Sequence, residues 1–133
     1  MIEREKLVSN KIRTPDGTIL QSHHRHDYKS YTDKNGKDYM VDGGLEYLRR
    51  IVHDDAPYQE LSATLTDPFE TIRESFCWGT RGKEGKDPVK WVELMNLETD
   101  HIQAILDTQF DSGRASWVKE LMEKELEFRK ALT

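Results

Sequence analysis

Apolar residues in this chain come singly or in short runs, and their spacing changes character part-way along. Between Lys11 and Asp42 they alternate with polar residues and are broken by turn signals, the mark of half-buried β-strands. Lys11-Ile12-Arg13-Thr14 enters Pro15-Asp16-Gly17, where proline presets φ and glycine accepts a positive φ, and Thr18-Ile19-Leu20-Gln21 leaves it. This predicts a hairpin. A second hairpin is predicted to pair residues 28–31 with 38–41 across Asp33-Lys34-Asn35-Gly36, in which Asn-Gly is the strongest short turn signal in the chain. Together the two hairpins predict a small antiparallel sheet.

Asp42-Gly43-Gly44 then interrupts regular structure. In the next segment, positions 45, 48 and 52 fit a helix while 45, 47 and 51 fit a strand, so the pattern leaves its type open. Residues 53–57 read as a loop and 60–66 as a strand. Asp67-Pro68 predicts a helix start, with Asp67 as cap, Pro68 in the first turn, and Phe69, Ile72, Arg73 and Phe76 at helical spacing. Residues 79–88 carry three glycines with Arg81, Lys83 and Lys86 and no apolar side chain, which predicts a flexible, cationic loop. Residues 89–94 alternate as a strand. Glu98-Thr99-Asp100 supplies capping oxygens before Ile102, Ile105, Leu106 and Phe110, which share a helix face. After Asp111-Ser112-Gly113 a last helix gathers Trp117, Val118, Leu121, Met122, Leu126 and Phe128 on one side. Glu120 with Lys124, and Glu125 with Arg129, are predicted to form an exposed polar face on the other.

Strands first and helices last predict an α+β fold: a small N-terminal antiparallel β-hairpin sheet followed by amphipathic helices. The chain is expected to form a single domain over residues 1–133, with a hairpin module at 10–52 and a mixed strand and helix half at 58–133. Composition adds to this picture. With 133 residues, 34% charged and 35% hydrophobic, a mean hydropathy of −0.83 leaves a thin core. The wide apolar stripe of the last helix is therefore expected at the interface of a homo-oligomer, a dimer or larger. The net charge of −5 argues against duplex nucleic acid as a partner, because such affinity comes from neutralising phosphates. A single cysteine, Cys77, excludes an internal disulfide and a Cys-only zinc site. The charged start lacks the apolar stretch of a signal peptide, and no apolar run is long enough to span a membrane, so a soluble, intracellular protein is expected.

Candidate chemistry lies in a few places. His23-His24-Arg25-His26-Asp27 offers imidazole and carboxylate to a transition metal, but no cysteine or other nearby histidine completes the set. Structural hydrogen bonding is the leading reading there, with anion contact through His24, Arg25 or His26 the next. Cys77 sits between Phe76 and Trp78, a setting for a buried thiol more than a nucleophile. There is no G-x-S-x-G and no P-loop, so a non-catalytic protein without cofactor or metal is expected. A binding reading uses more of the sequence. Phe76, Trp78 and Trp91 flank the 79–88 loop, placing aromatic faces for a base beside cations and backbone N–H groups for phosphate. Arg81 and Lys83 are the donors there, with Arg49, Arg50 and Arg114 at other turns and element ends. The pattern suits a small anionic ligand. It is equally satisfied by tryptophans in the core and arginines in surface ion pairs.

Two stretches also carry a family resemblance: SNKIRTPDGTILQSHHRHDYKSY with DYMVDGGLEYLRR, and WGTRGKEGKDPVKWVELMNLETDHIQAILDTQ with ELMEKELEFRK. They cover most of the chain. They resemble the Thoeris anti-defence 1 proteins, phage-encoded sponges that bind cyclic ADP-ribose signals made by bacterial TIR-domain proteins and so block the host effector. Many relatives carry paired cysteines resembling a zinc knuckle in the first hairpins. Here Thr14-Pro15-Asp16-Gly17 and Thr32-Asp33-Lys34-Asn35-Gly36 stand in those places, so the resemblance implies hairpins held by their turns, by Tyr28, Tyr31 and Tyr39, and by packing. The expected function is sequestration, without degradation, of a cyclic ADP-ribose isomer in the host cytoplasm. In that reading Trp78 or Phe76 stacks the base, while Arg81, Arg114 and Arg49 or Arg50 hold the diphosphate. Asn96 reads a base edge or a ribose hydroxyl, and a second basic site at His24 and Arg25 takes cyclic di- or trinucleotides. The rival readings are an enzyme that degrades such a nucleotide and a protein–protein inhibitor of a host factor.

Overall fold

Local turn chemistry sets the first half of the computed structural model, which describes residues 6–82, 84–110 and 116–132. Strand β1 (Lys11–Arg13) pairs antiparallel with β2 (Ile19–Gln21), placing Ile12 opposite Leu20. Gly17 closes the turn at φ 94°. Strand β3 (Lys29–Thr32) pairs with β4 (Asp38–Asp42), placing Tyr31 opposite Tyr39, and Gly36 takes φ 81° in the Asn-Gly turn. Both predicted hairpins form, but not in one sheet. Each recruits its own third strand: β6 (Gln59–Glu60) joins β1, and β5 (Arg49–Ile51) joins β4. The two sheets bury Ile12 and Leu20 from one against Tyr39 and Val41 from the other, with Tyr31, Val52 and Tyr58 packed around them. Burial of this kind stabilises by about 2 kcal/mol per large side chain. Tyr28 does not share in it; it is 55% exposed and so does not hold the hairpins together.

The ambiguous segment after the double glycine is half turn and half strand. Glu46 and Tyr47 donate backbone N–H groups to the Gly43 carbonyl, and the chain then extends into β5. Gly44 is required there, since a Cβ would meet the His24 backbone at 2.6 Å. The predicted strand at 60–66 shrinks to β6, followed by an isolated bridge between Thr64 and Leu7. Asp67 does not cap the next helix. Its carboxylate accepts the Thr64 N–H at 2.9 Å, and Pro68 is the N-cap of α1 (Phe69–Ser75), in which Ile72 is buried.

The chain divides into two compact units, Met1–Cys77 and Trp78–Thr133. Within the first unit, β6 and the Leu7–Thr64 bridge hold residues 59–64 against the N-terminal strands. Strand β7 (Cys77–Thr80), which begins at the last residue of the first unit, pairs with β8 (Lys90–Glu93). Gly79 lies under the Trp91 indole, and a Cβ there would approach the ring to 3.0 Å. A 3₁₀ turn (Leu94–Asn96) leads into α2 (Thr99–Thr108), and α3 (Ser116–Ala131) packs on both.

The face of α3 contradicts the expected pattern at one position. Glu125 is not on an exposed polar face; it is fully buried beside Leu121 and Met122. Arg129 Nε donates to its carboxylate at 2.7 Å, while the rest of the guanidinium reaches Thr99 Oγ1 and the carbonyls of Leu94 and Met95. Glu120 and Lys124 are exposed as expected. The fold class is α+β, and among the described residues no helix is long and apolar enough to cross a membrane.

Candidate functional site

The second unit contains a cavity of about 790 Å³ between the β7 strand with its following turn and one flank of α2. Trp78, Gly79 and Thr80 line it from β7, Arg81 and Gly82 from the turn. Hydrogen bonds cross the turn: Asp87 donates its N–H to the Arg81 carbonyl at 3.0 Å, and Gly85 to that of Gly82 at 3.2 Å. Gly82 adopts φ 81°, and a Cβ there would collide with the Asp87 carboxylate. Backbone and arginine are thereby presented together at the end of a short strand.

The α2 side was not legible as a site. Its buried stripe, Ile102 and Ile105, follows the expected periodicity, with Leu106 half-buried. The flank that lines the cavity is His101, Ala104, Ile105, Thr108 and Gln109, with Glu98 and Asp100 at the start. Positions 101, 104, 105 and 108 recur at helical spacing, which is the one sequence signal that marks this flank. Glu98 is the N-cap residue, yet its side chain makes no capping hydrogen bond.

Of the residues singled out from the sequence, the structure brings Trp78 and Arg81 together in this cavity. Phe76 is not available for stacking. It is 3% exposed, and its N–H ends α1 by donating to the Ile72 carbonyl. Asn96 is exposed and donates to Glu93 Oε2 at 3.0 Å, away from the cavity lining. Arg114 and Lys83 lie outside the described residues.

Arg49 and Arg50 belong to the first unit, and Arg50 is structural. Its guanidinium pairs with the Glu60 carboxylate and donates to Asn10 Oδ1 at 3.0 Å and Ser62 Oγ at 2.7 Å, with 9% of its side chain exposed. Burial opposes ionisation of Glu60, but hydrogen bonds from Arg50 and Ser62 outweigh it and hold its pKa below the usual value. Those donors are committed to joining β5 to β6 and the Asn10 segment, so they are not open to a ligand. Arg49 is 67% exposed, with Asp42 3.8 Å away.

The His23–Asp27 segment is a braced turn rather than a strand. Asp27 accepts the His23 N–H at 2.8 Å, Ser22 Oγ donates to the Asp27 carbonyl, and His24 Nδ1 accepts from the His26 N–H. Burial pulls the His23 imidazole below its ordinary pKa against the opposing Asp27 carboxylate. Arg25 is exposed, with Glu46 3.4 Å away. Among the described residues no group of three or more His, Cys, Asp or Glu is arranged to hold a metal ion. Cys77 is half-buried and sits within sulfur hydrogen-bonding range of Gln21 and the Ser75 carbonyl.

No family model, curated protein or solved structure matches this chain. The cavity gathers an aromatic ring, an arginine, two glycines, two carboxylates, the His101 imidazole, two threonine hydroxyls and the Gln109 amide, a lining of the kind that binds small polar ligands.

Proposed function

We propose that this protein is a non-catalytic nucleotide sponge of the anti-defence type, holding a cyclic ADP-ribose-type signal and releasing it unchanged. The observation that carries the reading is the meeting of Trp78 and Arg81, with Gly79 and Gly82, in one 790 Å³ cavity. That volume lies within the roughly 300–1,000 Å³ typical of small-molecule sites. Stacking on an indole is worth about 1–3 kcal/mol per base, and an arginine gives charge-assisted bonds to phosphate. The Thoeris anti-defence 1 resemblance supplies the ligand class, and the host cytoplasm is where such a signal is met.

Of the expected contacts, Trp78 and Arg81 line this cavity, Phe76 and Arg50 are committed to the fold, and His24 and Arg25 belong to the separate second basic site expected for cyclic di- or trinucleotides. We propose also that the protein works as a homo-oligomer through α3. Trp117, Val118, Leu126 and Phe128 stay half-buried, and Leu132 is 70% exposed just beyond the helix. Light scattering after gel filtration should give a mass at or above twice the 15.6 kDa of one chain.

The test of the sponge is a thermal-shift panel of cyclic ADP-ribose isomers and cyclic di- and trinucleotides, repeated with Trp78→Ala and Arg81→Ala. A cyclic ADP-ribose isomer should raise the melting temperature, each substitution should weaken binding about tenfold or more, and heat-denatured protein should return the ligand chemically intact. Absence of any shift would defeat the proposal in favour of a protein–protein inhibitor. Recovery of altered nucleotide would defeat it in favour of an enzyme.

A further inference from the structure

The fixed charges of the cavity are unevenly placed, and they restrict which part of a nucleotide it accepts. Arg81 lies on the turn after β7, whereas Glu98 and Asp100 lie at the start of α2. Thr108 and Gln109, at the other end of the same helix, also line the cavity. At about 1.5 Å rise per residue, Asp100 and Gln109 are roughly 13 Å apart along the axis, enough for a base and its sugar laid end to end.

A diphosphate drawn between Glu98 and Asp100 would bring like charges together, which weakens its binding there. Ribose hydroxyls behave oppositely, since they donate charge-assisted hydrogen bonds to a carboxylate, and an acidic side chain is a general means of holding a sugar diol. Glu98 is suited to this, because its side chain is not spent on capping the helix it begins. Gln109 carries both a donor and an acceptor, the pair needed for the edge of a purine.

Building on the nucleotide reading above, we propose that the cavity is a nucleoside pocket. The base and ribose enter it, with Glu98 and Asp100 accepting hydrogen bonds from sugar hydroxyls, and phosphate remains at the Arg81–Gly82 turn.

The experiment is titration calorimetry with adenosine, 2′,3′-dideoxyadenosine, inorganic pyrophosphate and a cyclic ADP-ribose isomer, on the full chain and on Glu98→Gln, Asp100→Asn and the double variant. Both carboxylates are on exposed residues, so the variants should keep the parent's melting temperature, which is measured alongside. Adenosine should bind, dideoxyadenosine should bind about tenfold or more weakly, and the double variant should lose that discrimination while binding pyrophosphate more tightly. Equal affinity for adenosine and dideoxyadenosine, or a double variant that still discriminates, would overturn the nucleoside pocket even if the cyclic nucleotide binds. Binding of adenosine with no binding of any cyclic ADP-ribose isomer would overturn the sponge and support the pocket.

Discussion

At the residue scale, one carboxylate ties the two hairpin turns together. Asp16 Oδ1 accepts from the Thr14 hydroxyl and the Thr18 N–H, while Oδ2 accepts from the Tyr31 hydroxyl at 2.6 Å and the Lys34 N–H at 3.2 Å. The Thr14 and Tyr31 hydroxyls hold the Asp16 carboxyl far below the usual carboxylate range, and the same bond pushes the Tyr31 phenol up. A carboxyl with a lower pKa folded than unfolded contributes stability that is complete above its unfolded pKa, near 4, and is lost as pH falls towards the folded value. The urea midpoint should therefore drop steadily below pH 4. Asp16→Asn should lower the midpoint at neutral pH and flatten that acid limb, with some slope left by Asp55 and Glu60, whose pKa values are lowered by Lys37 and by Arg50 with Ser62. Tyr31→Phe should act in the same direction more weakly. Parallel acid limbs for the parent and Asp16→Asn would show that ionised Asp16 is not favoured by the folded state.

At the element scale, α3 is joined to the rest of its unit by a buried ion pair. Glu125 is fully buried, and Arg129 satisfies it while also reaching the 3₁₀ turn and Thr99 at the start of α2. Removing the cation leaves an uncompensated buried carboxylate, so Arg129→Ala should cost about 3 kcal/mol or more in chemical denaturation. Joint replacement, Glu125→Leu with Arg129→Met, should restore most of it, since a well-packed apolar pair avoids the desolvation of two charges. If the double variant is no more stable than Arg129→Ala, the pair has a role beyond neutralising itself. Glu125 also marks where sequence reading stops. Its i,i+4 spacing to Arg129 was plain, but whether that pair faces water depends on the Leu94 and Met95 carbonyls, more than thirty residues away. The hairpins were legible because Pro15-Asp16-Gly17 and Asn35-Gly36 decide their turns locally. The two-sheet arrangement was not, because β6 reaches β1 across a long separation. The same division runs through the cavity. Trp78 and Arg81 were visible from their positions around the glycine-rich stretch, whereas Glu98, Asp100 and Gln109 acquire meaning only because they line the same cavity. Phe76 looked equivalent to Trp78 two residues on, yet it ends a helix while Trp78 is in a strand.

At the scale of the whole molecule, charge would set how the proposed anionic ligand arrives. The net charge of −5 repels a phosphate-bearing ligand at distances beyond the reach of Arg81, and the Glu98 and Asp100 carboxylates add to that field near the cavity. Salt screens such long-range terms, with a Debye length of about 10 Å at 0.1 M, while close contacts at Arg81 are screened less. Association of an anionic cyclic nucleotide should therefore be faster at 200 mM than at 20 mM sodium chloride, by roughly twofold, with adenosine unaffected because it carries no charge. A protein built to steer anions by a basic surface does the reverse, and its on-rate falls steeply with salt. Stopped-flow measurement, following the fluorescence of Trp78 and its neighbours, separates the two. An on-rate that falls with salt would mean that the local cations of the 79–88 turn outweigh the acidic surface, and the charge account of this cavity would then have to be reversed.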